Sequence, residues 1–174
     1  MKKYQTNIEG CYGFEISSFR DNRGETKKLV SASLEIPGFT VARNIFVSNL
    51  KVNTLRGLHF QSNPLSENKV LQSLSGKILD RIIDLRKDSK TYLNQFIQEV
   101  GPEEKIQGLF IPAGCAHGYL TLKPNSSMIY LMDKDYSESN VRGIRWNDPL
   151  FEANWPEKPF IISDRDKSWP NFNC

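Results

Sequence analysis

The chain has two histidines, and each follows a glycine in a segment that could present a side chain to a cavity. His59 lies in the run RGLHFQ at 56–61, and His117 lies in FIPAGCAHGYLTL at 110–122. Imidazole is well suited to take up and release protons near neutral pH. An isolated histidine is commonly a hydrogen-bonded structural residue, but a position after Arg-Gly or after a Pro-Ala-Gly loop favours exposure to a site. Both histidines are therefore candidates for proton transfer.

The sequence gives less support for a metal site or for a nucleophilic serine or cysteine. The His-x-His pair with a following Glu and a distant His, which a metal site in a small β-barrel would use, is missing, so we expect no metal. There is no Gly-x-Ser-x-Gly turn, and Cys115 has no recognisable activating context, which argues against a nucleophilic serine or cysteine. Cysteines at 11, 115 and 174 are odd in number and form no CxxC pair. We expect free thiols rather than disulfides or a zinc site.

Short apolar runs separated by turn residues predict an all-β fold. They span 29–34, 40–48, 55–60, 69–74, 77–85, 92–100, 108–112, 116–122 and 127–132. This spacing is typical of a sandwich or barrel, with few helices. The segment 77–86 fits a helical face as well as a strand, but its β-branched residues and the turn before it favour a strand.

On that strand, Asp80 shares one side with Ile78 and Ile82. If this side faces the interior, Asp80 is buried and needs a cation or hydrogen-bond donors; if it faces solvent, no partner is required. The candidates for such a partner are Lys69, Arg56 and His117.

Arg56 and His59 can act together only if their strand is irregular. Residues three positions apart point to opposite sides of a regular strand. A bulge or twist near Gly57 would bring both side chains to one side.

The last forty residues differ in composition from the rest, because they hold all three tryptophans and several prolines. Prolines exclude this tail from a central strand, while tryptophans favour burial. We expect the tail to wrap the barrel or to be buried across a subunit interface.

Composition and charge suggest one globular domain spanning 1–174. The 174 residues are 39% hydrophobic and 25% charged, with a net charge of +3 that is spread along the chain. This charge does not favour nucleic acid binding. Because no segment has the length and apolarity of a membrane span or signal peptide, we expect a cytoplasmic protein that does not bind a membrane.

Several motifs together resemble the dTDP-4-dehydrorhamnose 3,5-epimerase family. They are FRDNRG at 19–24, RGLHFQ at 56–61, FIPAGCAHGYLTL at 110–122, RGIRWNDP at 142–149 and IISDRD at 161–166. The resemblance runs over nearly the whole chain. It implies a cupin-like jelly roll, with a few short helices and an irregular C-terminal tail, that works as a homodimer without metal or other cofactor. The implied substrate is a nucleotide-linked 4-keto-6-deoxy sugar.

The resemblance also implies roles for individual residues. The catalytic base falls on His59, its partner carboxylate on Asp166 and the tyrosine acid on Tyr130. Positions that match substrate-binding residues are Arg23, Arg56, Lys69, His117 and Tyr136. Removal of the proton at C3 or C5 would leave an enolate on the C4 ketone oxygen, which Lys69 could stabilise with help from Arg56 or His117.

The sequence leaves several alternatives open. The nucleotide could be dTDP, CDP or GDP, and inversion could occur at C3, at C5 or at both. The chain departs from the family pattern at Glu25, Asn44 and Phe46, where family members usually have aromatic or amide residues. Two other classes of protein remain as alternatives, a non-catalytic sugar-binding jelly roll and a metal-dependent cupin enzyme.

Overall fold

The computed structural model describes residues 1–27, 36, 38–151, 155–156 and 161–173. The predicted strand at 29–34, Pro159 of the tail and Cys174 lie outside these residues. The strands are β1 Lys2–Gln5, β2 Tyr12–Glu15, β3 Ser18–Asp21, β4 Gly24–Lys27, β5 Arg43–Asn49, β6 Thr54–Gln61, β7 Lys69–Ser75, β8 Ile78–Asp84, β9 Gln95–Val100, β10 Gly108–Ile111, β11 Cys115–Thr121, β12 Ser126–Met132, β13 Val141–Gly143 and β14 Ile161–Ile162. A 3₁₀ turn spans Pro149–Phe151, and helix α1 spans Asp164–Ser168.

Two antiparallel sheets form the body of the molecule. The first has the order β1-β2-β10-β7-β12-β5, and the second has the order β13-β6-β11-β8-β9. Their inner faces share one hydrophobic core, in which Leu71 and Met128 of the first sheet meet Ile78 and Ile82 of the second. The prediction of an all-β, cupin-like jelly roll is confirmed. Strands β3 and β4 form a separate hairpin.

The ambiguous segment 77–86 forms β8, a strand buried on both faces. Its inner face carries Ile78, Asp80 and Ile82, all of which are buried. Its outer face carries Ile83, which packs with Leu58 of β6 in a second apolar cluster. Burial on both faces explains why the segment lacks the alternation of apolar and polar residues that marks a half-exposed strand.

The C-terminal tail packs on the outside of the second sheet. Phe151 and Phe172 contact each other and belong to the apolar cluster on the outer face of β6 and β8. Strand β14 then pairs in parallel with β6 and leads directly into α1. The predicted wrapping of the body by the tail is therefore confirmed for the described residues. Within those residues, no helix is long and apolar enough to cross a bilayer.

Gly57 creates the irregularity that the sequence required between Arg56 and His59. The pairing of β6 with β11 shifts register between His117 and Tyr119, opposite Gly57. Gly57 has φ of 126°, and a Cβ there would lie 2.5 Å from Gly118 Cα and 2.8 Å from His117 O. Only glycine fits such a close approach of two backbones.

We expect Gly57→Ala to lower the free energy of unfolding by about 2 kcal/mol or more, because the added methyl group combines a disfavoured φ with a backbone clash. Urea unfolding measures the loss. Gly10→Ala is the matched control, since Gly10 also has positive φ but a Cβ there would meet only Pro112 Cγ, at 3.6 Å. Equal losses in the two variants would contradict the close-approach explanation.

Candidate active site

A cavity of about 590 Å³ lies among strands of both sheets and the start of α1. Seven of the eight residues predicted from the sequence line it: Arg56, His59, Lys69, His117, Tyr130, Tyr136 and Asp166. They come from β6, β7, β11, β12, the segment after β12 and α1, so only the folded chain brings them together.

His59 and Asp166 form a close pair on one side of the cavity. His59 Nε2 lies 2.6 Å from Asp166 Oδ1, while Asp166 Oδ2 accepts a hydrogen bond of 3.2 Å from the Gly57 amide. The carboxylate side chain is 6% exposed and the imidazole 37%, so the imidazole is the member that faces the open space. Burial raises the pKa of Asp166, but the hydrogen bonds from His59 and Gly57 outweigh it and leave the pKa below its usual value. The carboxylate therefore stays ionised near neutral pH.

Helix α1 holds Asp166 in place. Ser163 caps the helix, with its side-chain oxygen accepting a hydrogen bond from the Asp166 amide at 3.1 Å. Because β14 is paired with β6 immediately before this cap, the helix starts at a fixed position beside His59. The cap and the strand pairing together orient the carboxylate.

His117 forms a second pair with a buried carboxylate. It is the cross-strand partner of His59, and its Nε2 lies 2.7 Å from Asp80 Oδ2. His117 is therefore the partner of Asp80 among the three candidates named from the sequence. The second imidazole also packs edge-on against Tyr130, with ring centroids 5.9 Å apart.

Tyr130 reaches the cavity from the opposite sheet. It lies on β12, whereas His59 lies on β6, so the two side chains approach the cavity from different sheets. Burial raises the pKa of the Tyr130 hydroxyl well above its usual value, and Tyr119 and Asp80 act in the same direction. The hydroxyl lies 3.6 Å from Met128 Sδ, a weak acceptor. A protonated hydroxyl without a strong acceptor can donate to a bound molecule.

Lys69 places a buried cation in the cavity. Its Nζ lies 3.4 Å from the His59 carbonyl oxygen and 3.5 Å from Glu67 Oε1. Burial lowers the pKa of Lys69, and the carboxylate of Glu67 opposes this effect. An ammonium group held away from water interacts strongly with any negative charge that develops beside it.

Tyr136 marks the mouth of the cavity, and two arginines contact it. The guanidinium of Arg43 lies 5.4 Å from the ring centroid, and Arg165 Nη1 lies 3.4 Å from the hydroxyl. Arg56, held by a hydrogen bond of 2.9 Å from its Nε to Asn49 Oδ1, adds a third cation to the lining. The mouth thus suits an anion, because guanidinium groups bind phosphate oxygens well.

Three charged residues of the lining were not among the predicted site residues: Arg43, Glu67 and Arg165. Arg43 alternates with Ile45 and Val47 along β5, and that alternation was a signal for a shared face. Arg165 precedes Asp166 in the sequence, and this position next to a predicted site residue was also a signal. Glu67 lies in an irregular segment before β7. Such a segment has no regular alternation of side chains, so the sequence does not indicate which way the Glu67 side chain points.

Arg23 is the one predicted residue that this chain does not bring to the cavity. It lies in the turn between β3 and β4, is 84% exposed, and pairs with Asp21 at 2.6 Å. The Asp21 hydrogen bond raises the pKa of Arg23, so its charge is retained.

The arrangement suits proton transfer at a carbon next to a carbonyl group. A histidine backed by a carboxylate can accept the proton, and a tyrosine from the opposite sheet can return one. Removal of that proton leaves negative charge on the carbonyl oxygen, and Lys69 and His117 are placed in the cavity where they could stabilise this charge. Among the described residues, no three His, Cys, Asp or Glu side chains are grouped so that they could bind a metal ion.

Comparisons with known proteins give a consistent result. A family model described as dTDP-4-dehydrorhamnose 3,5-epimerase matches residues 5–173. An epimerase of this name from Sinorhizobium fredii is 36% identical over 123 residues, covering 70% of this chain and 63% of the relative. Another from Shigella flexneri is 31% identical over 177 residues, covering 99% of this chain and 96% of the relative. The first match thus spans less than two thirds of its relative, and the second nearly all.

A solved structure is similar over the whole chain. The dTDP-4-dehydrorhamnose 3,5-epimerase from Bacillus anthracis, with TDP and PPi bound, superposes with a TM-score of 0.91 at 33% identity. The superposition covers 98% of this chain and 99% of that one.

We expect Lys69→Met to raise the free energy of unfolding by about 1 kcal/mol at neutral pH, because a buried cation is removed while Glu67 keeps its hydrogen bonds from Arg43 and Gln61. Because the pKa of Lys69 is lowered, the charged lysine destabilises the folded protein at pH below that pKa. The difference between variant and wild type should therefore shrink as the pH rises toward the unfolded lysine pKa of about 10.4. Chemical denaturation at several pH values measures it.

Lys77→Met is the control for this substitution. Hydrogen bonds from Lys77 to Glu99 and Glu104 raise the pKa of Lys77, so its charge favours the folded state. We expect this variant to show no gain in stability. A gain of similar size in both variants would indicate that methionine stabilises for reasons other than the buried charge.

Proposed function

The chain belongs to the dTDP-4-dehydrorhamnose 3,5-epimerase family, and from this premise we propose that it inverts carbons beside the C4 ketone of a nucleotide-linked 4-keto-6-deoxy sugar. The observation that carries the proposal is the His59–Asp166 pair, at 2.6 Å, facing a cavity that Tyr130 enters from the other sheet. The first substrate to test is dTDP-4-keto-6-deoxyglucose, with the 4-keto-rhamnose epimer as product.

His59 acts as the base in this proposal. Its Nε2 is engaged by Asp166, which leaves the lone pair of Nδ1 to accept the proton from the sugar carbon. The ionised Asp166 then stabilises the imidazolium that forms. Asp166 thus acts through His59 and does not itself take the proton.

The enolate that follows needs positive charge at the ketone oxygen. Lys69 is the main candidate because it is buried in the same cavity. His117 can donate a further hydrogen bond through Nδ1 when both of its ring nitrogens carry a proton, since its Nε2 is engaged by Asp80. Preorganised donors of this kind stabilise the transition state without having to reorganise during the reaction.

Inversion requires the new proton to arrive from the other face of the sugar ring. Tyr130 is placed for this step because it approaches from the sheet opposite His59 and its hydroxyl remains protonated near neutral pH. The tyrosinate that would result lies close to His117, which can return a proton to it from the imidazolium form and is then neutral, with Nε2–H still donated to Asp80. The same pair of groups can serve C3 and C5 if the sugar is turned between the two steps.

The nucleotide part is proposed to lie at the mouth of the cavity. The Bacillus anthracis relative, solved with TDP and PPi bound, supports dTDP as the nucleotide. Arg56 and Arg165 would bind the diphosphate, and Tyr136 would stack on the base or sugar. A diphosphate-linked substrate cannot cross a bilayer unaided, so we place the reaction in the cytoplasm with the enzymes that make the substrate.

We expect the protein to exchange solvent deuterium into the sugar at both C3 and C5. The assay is NMR of dTDP-4-keto-6-deoxyglucose incubated with the protein in heavy water. His59→Ala should lower exchange at both carbons by about a thousandfold or more, because the base is lost. Tyr130→Phe should retain part of the exchange but lose inversion, because deprotonation needs only the base.

Each other result has a definite meaning. Exchange at one carbon alone would identify a C3- or C5-specific epimerase. If folded protein exchanges neither carbon, the CDP- and GDP-linked sugars are tested next. If the protein binds the dTDP-, CDP- and GDP-linked sugars but exchanges no proton in any of them, the epimerase proposal is rejected and the protein is a sugar-binding jelly roll. Full exchange by His59→Ala would reject His59 as the base.

We also propose that the working form is a homodimer in which Arg23 of one copy completes the cavity of the other. Among the described strands, β5 lies at the edge of the first sheet, and it exposes Phe46 by 64%. Unpaired edges of this kind are sites where another strand adds. The hairpin β3–β4 pairs only with itself among the described strands and exposes Phe19 by 65%. Since β5 also lines the cavity, a hairpin docked there would bring Arg23 to its mouth.

We expect Arg23→Ala to raise KM about tenfold with little change in kcat, because a charged contact to the diphosphate is lost. Arg20→Ala, on the same exposed hairpin, is the matched control and should leave KM unchanged. Sedimentation should show a dimer that Phe46→Glu dissociates. A fully active monomer, or an unchanged KM for Arg23→Ala, would contradict the proposal.

A further inference from the structure

Glu67 is an acidic side chain in a cavity otherwise rich in positive charge. It is 7% exposed, and apart from Asp166 it is the only carboxylate among the described lining residues. A carboxylate in a site for a diphosphate-linked sugar repels the ligand and is itself costly to bury. A function of Glu67 within the site would have to offset these two costs.

The contacts of Glu67 divide between its two oxygens. Oε2 accepts hydrogen bonds from Arg43 Nη2 at 2.9 Å and from Gln61 Nε2 at 3.1 Å. Oε1 faces the ammonium of Lys69 at 3.5 Å. The first two contacts hold the carboxylate in one orientation, and the third directs its charge at the cation of the cavity.

We propose that Glu67 is a positioning residue that keeps Lys69 protonated and directs its ammonium group toward the substrate oxygen. The inference rests on the proposed role of Lys69 in stabilising the enolate. Glu67 itself does not contact the reacting carbons in this proposal, because its oxygens are occupied by Arg43, Gln61 and Lys69.

The charges that face Lys69 from each neighbouring strand support this role. Burial lowers the pKa of Lys69, Arg43 of β5 acts in the same direction, and Glu67 is the principal opposing charge. Cys115 of β11 adds little negative charge at neutral pH, because burial raises its pKa to about 12. His59 of β6 offers its backbone carbonyl, at 3.4 Å. The remaining titratable groups of the cavity wall are His117 and Tyr130.

Lys69 should lose its proton before Tyr130 as the solution becomes alkaline. Its pKa is lowered, whereas the pKa of Tyr130 is raised well above the ordinary tyrosine value. The alkaline decline of kcat in the proposed reaction therefore reports the protonation of Lys69, and removal of Glu67 should move that decline to lower pH.

The test compares Glu67→Gln with wild type from about pH 6 to about pH 10. We expect kcat of the variant to lie within about threefold of wild type near pH 6.5 and to fall about tenfold below it near pH 9. KM should not rise, since a negative charge is removed from an anion site. Glu67→Asp, which keeps the charge, should recover most of the alkaline activity.

Glu99→Gln is the matched control. Glu99 pairs with Lys77 at 2.8 Å on β9, outside the cavity lining, so the same substitution removes a lysine partner there without touching the site. Its pH profile should follow wild type. A uniform loss of kcat at every pH in Glu67→Gln, or a profile identical to wild type, would overturn the inference.

A second measurement is independent of turnover. Labelling of Lys69 by acetic anhydride in the substrate-free protein, followed by mass spectrometry, reports the pH at which its amine becomes reactive. In Glu67→Gln this onset should move to lower pH, while labelling of Lys77 stays unchanged. If Glu67→Gln does not fold, Glu67→Asp should shift the onset less but in the same direction, because its carboxylate is retracted.

The two measurements separate this inference from the function it rests on. A shifted labelling onset in a protein that exchanges no sugar proton would support the role of Glu67 and reject the epimerase proposal. An unshifted onset in an active epimerase would reject the role of Glu67 and leave the function intact.

Discussion

The hydrogen bond between His59 and Asp166 joins residues 107 positions apart, and much of the structure around the cavity is arranged to make it. The imidazole is fixed by the pairing of β6 with β11, and the carboxylate by the β14 pairing and the Ser163 cap. The Gly57 amide ties the two together, since it donates to the same carboxylate. The packing of the tail on β6 thus does more than cover apolar surface, because it positions a carboxylate beside the imidazole of His59.

The cavity brings together charges that a core chosen for stability alone would avoid. Lys69, His117, Asp80 and Glu67 are all buried, and each lies within 3.5 Å of a side chain that can carry the opposite charge. Burial weakens the screening of these charges by water and so strengthens their action on a bound molecule. It also makes each unpaired charge expensive. The ion pairs that surround the site are the compensation for this cost, and they explain why polar residues occupy inward positions on strands that are otherwise apolar.

Much of the fold was predictable from the sequence because local patterns determine it. The apolar run at 77–85 and the turn before it indicated β8, and the burial of Asp80 followed once that strand faced inward. The need for an irregularity between Arg56 and His59 was also visible, since strand alternation is a strict rule. The position of Glu67 was not predictable, because it depends on an irregular segment whose direction is set by Arg43 and Gln61. Arg23 shows a second limit of sequence-based prediction. It belongs to a family motif, but within one chain it lies on an exposed hairpin away from the cavity.

The attachment of the tail to β6 also has a consequence for the order in which the protein acquires its properties during synthesis. The ribosome makes the two sheets first, so the cavity with His59, Lys69 and Tyr130 can form while the segment that carries Asp166 is still being translated. A nascent chain at that stage would have an incomplete cavity, because Ser163, Arg165 and Asp166 also line it. The segment made after the two sheets is thus the one that completes the pair, and a chain that stops before Asp166 would present His59 without its carboxylate partner.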